Sequence, residues 1–209
     1  MKRPTSDVAF SPSVKRVQAE RGSRAAYERV ENVGGFESEV TPDLVALLAQ
    51  IDTAFLATAS ADGQPYVQHR GGPKGFICAL DDHTLGFVDF AGNRQYVSTG
   101  NLSENDRFCL FLIDYARRRR VKIWGTARIV PATDELLEKL APSGYRARPE
   151  QVMLLRVSAW DANCSQHIRQ KIDGEQVANA IANLEVRIDE LEAENRKLEE
   201  EVARLRAGG

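Results

Sequence analysis

Seven short runs of apolar, β-branched and aromatic residues follow one another between residues 53 and 160, and they restrict the fold more than any other feature. Turn signals separate most of the runs, such as the Asp62-Gly63 pair and the two glycines and proline at 71–73. Short strands at this spacing are typical of an antiparallel sheet closed into a barrel. Two helical patches interrupt the series, at Asn93–Gly100 and Thr133–Leu140. The sequence therefore predicts a mainly β fold with helices (α+β).

Polar, helix-forming segments flank this core on both sides. Residues 1–41 are predicted to be a helical extension, in which a few apolar residues are scattered among charges. Thr41 and Pro42 supply an N-cap and a first-turn proline for the helix that opens the core, which we place at residues 42–172. A length of 209 residues suits one core domain with such appendages.

The C-terminal segment, residues 173–209, carries a heptad repeat. Its a and d positions alternate at spacings of three and four residues: Ile181, Leu184, Ile188, Leu191, Asn195, Leu198, Val202 and Leu205. β-branched residues at a with leucine at d favour a parallel two-stranded coiled coil, and one polar residue at a fixes its register and strand number. The alternative is a single amphipathic helix lying on its own barrel, but a narrow stripe of period 3.5 suits a partner helix better. We therefore expect a homodimer.

Composition and charge exclude several classes of protein. The 28 basic and 30 acidic residues give a net charge of −2, and no continuous basic helix precedes the heptads as it does in basic-zipper proteins. No window approaches the ~20 apolar residues of a membrane span, and no apolar stretch follows the first residues as in an export signal. Cys78, Cys109 and Cys164 are expected to be free thiols. We therefore expect a cytoplasmic protein that binds neither nucleic acid nor membrane.

Two segments have the composition of a phosphate site. Arg70 and Lys74 bracket the glycines of the first, residues 68–76, and fixed cations with accessible backbone N–H groups suit a phosphate. In the second, residues 89–96, Asn93 is predicted to cap a helix whose first amides, with Arg94, would face an anion. The alternative for the first segment is an ordinary Gly-Pro turn with solvated cations. Together the two segments predict an anion site between neighbouring strand ends.

A third basic cluster lies at residues 117–122. Strand alternation places Arg120 and Lys122 on one face with Trp124, and Val121 and Ile123 on the other. Solvated hairpin charges, contact with an electron-rich or anionic edge of a ligand, and nucleic-acid binding are three interpretations. A single hairpin tip without interleaved aromatic residues gives the last of them little support.

Other chemistry is less well supported by the sequence. Cys164 and His167 have half of a zinc-site spacing, without a second pair to complete four ligands, so no metal site is predicted. His69 and His167 are acid–base candidates, although the sequence favours an ordinary polar or hydrogen-bonded role for each. No hydrolase triad signature, P-loop or dinucleotide fingerprint is present, and no catalytic residue is assigned.

Three segments in order resemble the pyridoxamine 5′-phosphate oxidase-like family of FMN-binding split barrels. They read ATASADGQPYVQHRGGPKGF, LGFVDFAGNRQYVSTGNL and RFCLFLIDYARRRRVKIWGTARIV, and the resemblance covers roughly residues 42–160. It implies a split β-barrel that forms a homodimer through the barrel interface. FMN would lie in a cleft between the two subunits. The coiled coil would add a second contact between the subunits.

The resemblance also implies roles for particular residues. Arg70 and Lys74 match the family's phosphate-binding Arg and Lys, and Asp89 lies where a contact to the flavin ring is expected. The segment Asn93-Arg94-Gln95 corresponds to a Ser-Arg-Lys segment of the family, with Gln95 in place of the lysine. Arg120 falls near a glutamine that contacts flavin across the dimer, and Lys122 on the same strand face would add positive charge at the flavin's pyrimidine edge.

The C-terminal part of the chain departs from that family. The Trp and Arg-x-His substrate motif of true pyridoxamine phosphate oxidases is not recognisable, so the vitamin B6 substrate is not carried over. The expectation is an FMN-dependent oxidoreductase acting on a small redox substrate. The alternatives are a non-catalytic flavin or haem carrier or sensor, and a reductase that uses the deazaflavin F420 on the same barrel.

Overall fold

The core of the protein is a single seven-stranded antiparallel sheet. The computed structural model describes residues 3–163 and 165–207. The strands are β1 (Thr53–Ala59), β2 (Pro65–Gly71), β3 (Cys78–Asp81), β4 (Thr84–Phe90), β5 (Arg107–Asp114), β6 (Arg119–Pro131) and β7 (Pro149–Asn163). Their order is β2-β1-β5-β6-β7-β4-β3, so β2 and β3 are the end strands. The predicted mainly β fold with helices is confirmed, and the seven apolar runs are the seven strands.

Alternating burial along the strands explains how the sheet encloses a core. Ala54 and Leu56 of β1 are fully buried, while Phe55 between them is partly exposed on the opposite, outer face. Val121 and Ile123 of β6 are likewise fully buried, and the intervening side chains point outwards. The period of two in the sequence thus separates an inner from an outer face, as expected for a half-buried antiparallel sheet.

A bulge bends the longest strand pair. The register between β6 and β7 shifts between Trp124 and Gly125. A Cβ atom at Gly125 would lie 1.9 Å from the carbonyl oxygen of Arg156, so only glycine allows the two backbones to approach this closely. The bulge increases the local bend that the curved sheet needs.

The N-terminal extension is helical, as predicted, and packs on the barrel. It contains a 3₁₀ turn (Thr5–Val8), α1 (Pro12–Glu20) and α2 (Arg24–Asn32). The segment after α2 is held at β7, because Trp160 donates its backbone N–H to the Glu37 carbonyl and its indole N–H to the Glu39 carbonyl, both at 2.7 Å.

The three helices within the core begin at recognisable caps or bends. Thr41 accepts a hydrogen bond from the N–H of Leu44 at the start of α3 (Pro42–Leu48), and Thr133 caps α5 (Asp134–Leu140) in the same way. Both helices confirm the sequence prediction. α4 (Val97–Glu104) begins four residues later than predicted, after a left-handed Tyr96.

The assignment of Asn93 as the cap of α4 is therefore wrong. Its side-chain oxygen accepts the N–H of Gln95 at 3.4 Å, two residues on, so it closes a local turn instead. Arg94 and Tyr96 both have positive φ angles, which are incompatible with a right-handed helix. The first amides of α4 consequently do not follow Asn93, and the proposed helix-end anion site is not formed there.

The chain divides into two compact units. The first unit contains the N-terminal extension and the barrel, that is, the chain up to Asp114 and Arg118–Ile168. The second unit consists of Tyr115–Arg117 and the chain from Arg169 onwards. The second unit is dominated by α6 (Gly174–Ala207), which has 34 residues and would be about 51 Å long. No helix in the described residues is both long and apolar enough to cross a membrane.

Candidate functional site

A polar pocket lies where β2, β4 and the loop before α4 meet. Two adjoining cavities of about 50 and 360 Å³ make up this pocket, which we call the β2–β4 pocket. The two cavities share six lining residues: Gln68, Arg70, Asp89, Phe90, Gly92 and Asn93. Arg94 lines the smaller cavity. The structure thus brings together Arg70, Asp89, Asn93 and Arg94 from the predicted site.

An ion pair forms the floor of this pocket. An Nη atom of Arg70 donates to Asp89, and the side chains are only 12% and 13% exposed. Gln151 donates to the other oxygen of Asp89 at 2.9 Å and is in turn 3.0 Å from the hydroxyl of Thr99. The Nε of Arg70 is buried and has no hydrogen-bond partner among the described residues. A buried donor without a partner is costly, so this atom indicates a missing acceptor.

The loop of residues 91–96 forms the rim. Arg94 donates from Nε to the hydroxyl of Tyr96 at 3.1 Å, and this contact raises the pKa of the guanidinium. Tyr96 donates to Glu150 at 2.7 Å. Arg94 is exposed and lines the smaller cavity. That cavity therefore combines one buried and one exposed arginine, residues suited to holding a phosphate, with the carboxylates of Asp89 and Glu150.

Two of the predicted phosphate ligands lie outside this lining. Lys74 is exposed in the turn between β2 and β3, and Gln95 is exposed in the loop before α4. Neither lines the two cavities. His69 does line the larger cavity, and its ring lies edge-on to Phe55 with the centroids 5.9 Å apart.

Arg120 and Lys122 lie on the other face of the sheet. The ladder pairs Lys122 with Phe111, Phe111 with Phe55, and Phe55 with His69, so these residues share the outer face, whereas Arg70 pairs with the buried Ala54. Neither Arg120 nor Lys122 lines either cavity of the β2–β4 pocket. One chain therefore does not bring Arg120 or Lys122 to the β2–β4 pocket. The predicted sharing of one face by Arg120, Lys122 and Trp124 is confirmed.

The outer face is unusually apolar for a surface. Phe55, Ala57, Cys109 and Phe111 are only partly buried there, and Val67 is 60% exposed. Cys109 lies on this face, and partial burial raises the pKa of its thiol. The Nε of Arg120 is a second buried donor without a partner among the described residues.

The remaining candidates do not form a site in the described part of the chain. Cys164, half of the Cys-x-x-His spacing, lies outside the described residues, and His167 is exposed with a positive φ. No group of three or more His, Cys, Asp or Glu side chains suited to a metal ion occurs among the described residues. Cys78 and Cys109 are free.

Sequence reasoning missed the residues that β7 and α4 contribute. Gln151 faces Asp89 across the β4–β7 ladder, and Ser98 donates to Gln68 at 2.8 Å. The sequence carried no sign of the first contact, because it joins residues 62 positions apart. Only the pairing of β4 with β7 could have revealed it.

The fold and the pocket define a class: a split antiparallel barrel with a polar pocket, lined by two arginines, between β2 and β4. A sequence model of the family described as pyridoxamine 5′-phosphate oxidase matches residues 40–164, more than half of the chain. The protein belongs to the pyridoxamine 5′-phosphate oxidase family. A search of curated proteins finds no match.

Several solved structures are similar to this chain. HupZ of group A Streptococcus is 21% identical over 63% of this chain and 98% of its own, with a TM-score of 0.48. A putative pyridoxamine 5′-phosphate oxidase from Lactobacillus delbrueckii is 21% identical over 60% and 95%, with a TM-score of 0.46. An FMN-binding protein from Syntrophomonas wolfei is 10% identical over 73% and 95%, with a TM-score of 0.47. The family assignment rests on the family model, not on these similarities.

Proposed function

We propose that this protein binds FMN and acts as an FMN-dependent oxidoreductase, as a homodimer with the flavin between the subunits. The observation that carries the proposal is the buried, unpartnered Nε of Arg70 in a pocket that also contains Arg94 and Asn93. A phosphate would supply the acceptor that this donor lacks. Asp89 does not oppose it strongly, because its two oxygens already accept from Arg70 and Gln151.

Each part of the pocket would have a definite task. Arg70 and Arg94 would hold the phosphate, and Asn93 would order the loop through its bond to Gln95. FMN, when bound, supplies two-electron redox chemistry to a small-molecule substrate. Exposed Lys74 would add long-range attraction for an anion at the neighbouring turn.

The need for a second subunit follows from the size and position of the site. The larger cavity, about 360 Å³, is near the lower limit for ligand pockets, so part of a cofactor would extend beyond it. Arg120 and Lys122 lie on the apolar outer face, away from that cavity. A second copy packed on this face would bring its own Arg120 and Lys122 towards the flavin, where positive charge stabilises the reduced anionic ring. The free thiols Cys78 and Cys109 suit the cytoplasmic location included in the proposal.

The absorption spectrum of the purified protein tests the cofactor. We expect a flavin spectrum that dithionite bleaches, or saturable FMN binding by cofactor-free protein. A Soret band, or binding of F420 in preference to FMN, would instead select one of the alternative functions. NAD(P)H-driven flavin reduction followed by stopped flow then separates an enzyme from a carrier.

The Arg94→Ala variant tests the site. Loss of a charge-assisted contact should weaken FMN binding by about 1.5–3 kcal/mol, while the fold is unaffected because the side chain is exposed. Arg128→Ala is the matched control, since Arg128 is an exposed arginine that lines a separate cavity. Equal FMN affinity in the two variants, measured by fluorescence titration, would contradict the assignment.

A further inference from the structure

A second, larger pocket lies between the N-terminal extension and strands β6 and β7. Its volume is about 560 Å³, within the range of ligand-binding pockets. Five aromatic side chains contribute to its walls: Phe10, Tyr27, Phe36, Trp124 and Trp160. We call it the aromatic pocket. None of its lining residues lines the β2–β4 pocket.

Four of these side chains, Phe10, Tyr27, Phe36 and Trp124, form one ordered wall. Phe36 stacks on Trp124 with the ring centroids 5.7 Å apart and the planes at 10°. Phe10 meets Phe36 and Tyr27 edge-on, at 5.2 and 5.1 Å. These contacts hold the rings in fixed orientations, so a flat ligand would lose little additional side-chain entropy on contacting them.

The extension that carries three of these rings is firmly anchored. Lys15 bridges Asp7 and Glu31 at 2.6 and 3.1 Å, which raises the pKa of Lys15 and links the 3₁₀ turn, α1 and α2. The N–H of Thr5 bonds to the carbonyl of Gly34 at 3.0 Å. A Cβ atom at Gly35 would approach the backbone of the 3₁₀ turn to 2.6 Å, so the turn and the end of the extension are in close contact. The pocket is therefore preformed.

Polar groups border the aromatic wall at one place. Lys122 and Asp161 face each other directly across the β6–β7 ladder, and both line the pocket. Directly opposed residues in such a ladder have Cβ atoms about 5 Å apart. A lysine ammonium donates hydrogen bonds and a carboxylate accepts them, so the pair matches a ligand edge that carries an acceptor next to a donor.

We propose that the aromatic pocket binds a small planar heteroaromatic molecule with adjacent acceptor and donor groups on one edge, such as a cyclic amide fused to a ring. The ring lies against the Phe36–Trp124 wall, and the edge faces Lys122 and Asp161. This binding does not require a flavin. Because Lys122 also belongs to the proposed flavin contact of a partner subunit, the test uses other residues.

Tryptophan fluorescence provides a specific measurement, because the chain has two tryptophans and both line this pocket. The probe is quinazolin-4-one, whose ring carries a carbonyl beside an N–H, and the control ligand is 3-methylquinazolin-4-one, which lacks that N–H. We expect saturable quenching by quinazolin-4-one in the full-length protein, with one site per chain by calorimetry. The methylated compound should bind about tenfold more weakly, the loss of one hydrogen bond to a charged group.

Variants locate the binding. Tyr27→Ala removes a ring that is 40% exposed and should weaken binding without unfolding the protein. Asp161→Asn should reduce the preference for quinazolin-4-one over its methylated form. Val17→Ser, on the exposed face of α1 outside the pocket, should change neither the affinity nor this preference. Absence of saturable quenching at millimolar concentration, equal binding of the two ligands, or unchanged binding in both pocket variants would each overturn the proposal. Circular dichroism establishes that each variant is folded, and FMN binding is measured separately by absorbance.

Discussion

The Arg70–Asp89 ion pair has two roles at the scale of single residues, because it both shapes the β2–β4 pocket and stabilises the fold. In Arg70→Met the nearly buried Asp89 carboxylate would lose its ion pair. Of the two hydrogen bonds described above, it would keep the one from the Gln151 amide. We expect the free energy of unfolding of the cofactor-free protein to fall by about 3 kcal/mol, since breaking a buried pair on one side leaves an uncompensated charge. Urea denaturation measures the change.

The double variant Arg70→Met/Asp89→Leu distinguishes the effect of an unpaired charge on stability from the effect of losing the packing of the Arg70 side chain. Removal of both charges should restore most of the lost stability, because no charge is then left unpaired. Arg128→Met, at an exposed position, should stay within about 0.5 kcal/mol of the original protein. A double variant as unstable as Arg70→Met would show that packing, not charge, dominates at this site.

The site residues that the sequence predicted were those with a local signature. Arg70, Asp89 and Arg94 follow or end short apolar strands, so glycines and charges at strand ends marked them. Gln151 carries no such mark, since it reaches Asp89 only through the pairing of two distant strands. Asn93 has a local signature that was misinterpreted. An asparagine after glycine fits both a helix cap and a turn, and the positive φ angles of Arg94 and Tyr96 show that a turn is formed.

At the scale of elements, the bulge between β6 and β7 depends on Gly125. In Gly125→Ala the added Cβ would meet the Arg156 carbonyl oxygen, a backbone atom that moves only with its strand. We expect a loss of about 1–3 kcal/mol, as for overpacked sites. Gly100→Ala is the matched control, because nothing lies within 4 Å of its added Cβ in α4, where alanine should stabilise by about 0.5–1 kcal/mol. Thermal unfolding of both variants checks the opposite signs.

The strands were predictable because each is a short run of apolar, β-branched and aromatic residues, mostly bounded by turn signals. α3 and α5 were predictable because each begins at a threonine cap. Strand order was not, since it depends on which non-adjacent strands pair: β1 with β5, and β4 with β7. That order places Arg70 and Lys122 on opposite faces of one sheet. The sequence predicted the phosphate site of residues 68–96 separately from the basic cluster at 117–122, and in one chain the two lie on different faces of the sheet.

The face of α6 that carries the heptads matches a partner helix. Its a and d side chains are exposed in the single chain, from 45% for Val202 to 73% for Leu205. If two copies pair in parallel, Asn195→Val should raise the thermal stability of the helix and broaden the distribution of oligomers, because the polar a residue specifies two strands. Asn183→Val, at a c position, should change neither property. Sedimentation equilibrium and circular dichroism measure both, and an Asn195→Val protein indistinguishable from the control would contradict a paired helix.

At the scale of the whole molecule, the proposal requires that the flavin site and the barrel interface depend on each other, whereas the coiled coil is separable from both. Ala57 lies in the middle of the apolar outer face, between Val67 and Cys109 on the neighbouring strands. The glutamate of Ala57→Glu would be partly exposed to solvent in one chain but would place a charge in a dry interface between two. We therefore expect this variant to lose FMN affinity, although Ala57 does not line the β2–β4 pocket.

Leu191→Asp provides the contrasting variant, since it places a charge at a d position of the heptads and disrupts helix pairing alone. We expect it to keep its FMN affinity and, at high protein concentration, its dimeric mass, because the barrel contact remains. Sedimentation velocity with FMN absorbance follows mass and cofactor in the same run. Loss of FMN in Leu191→Asp but not in Ala57→Glu would reverse the assignment: the coiled coil would then complete the cofactor site, and the apolar sheet face would serve another contact.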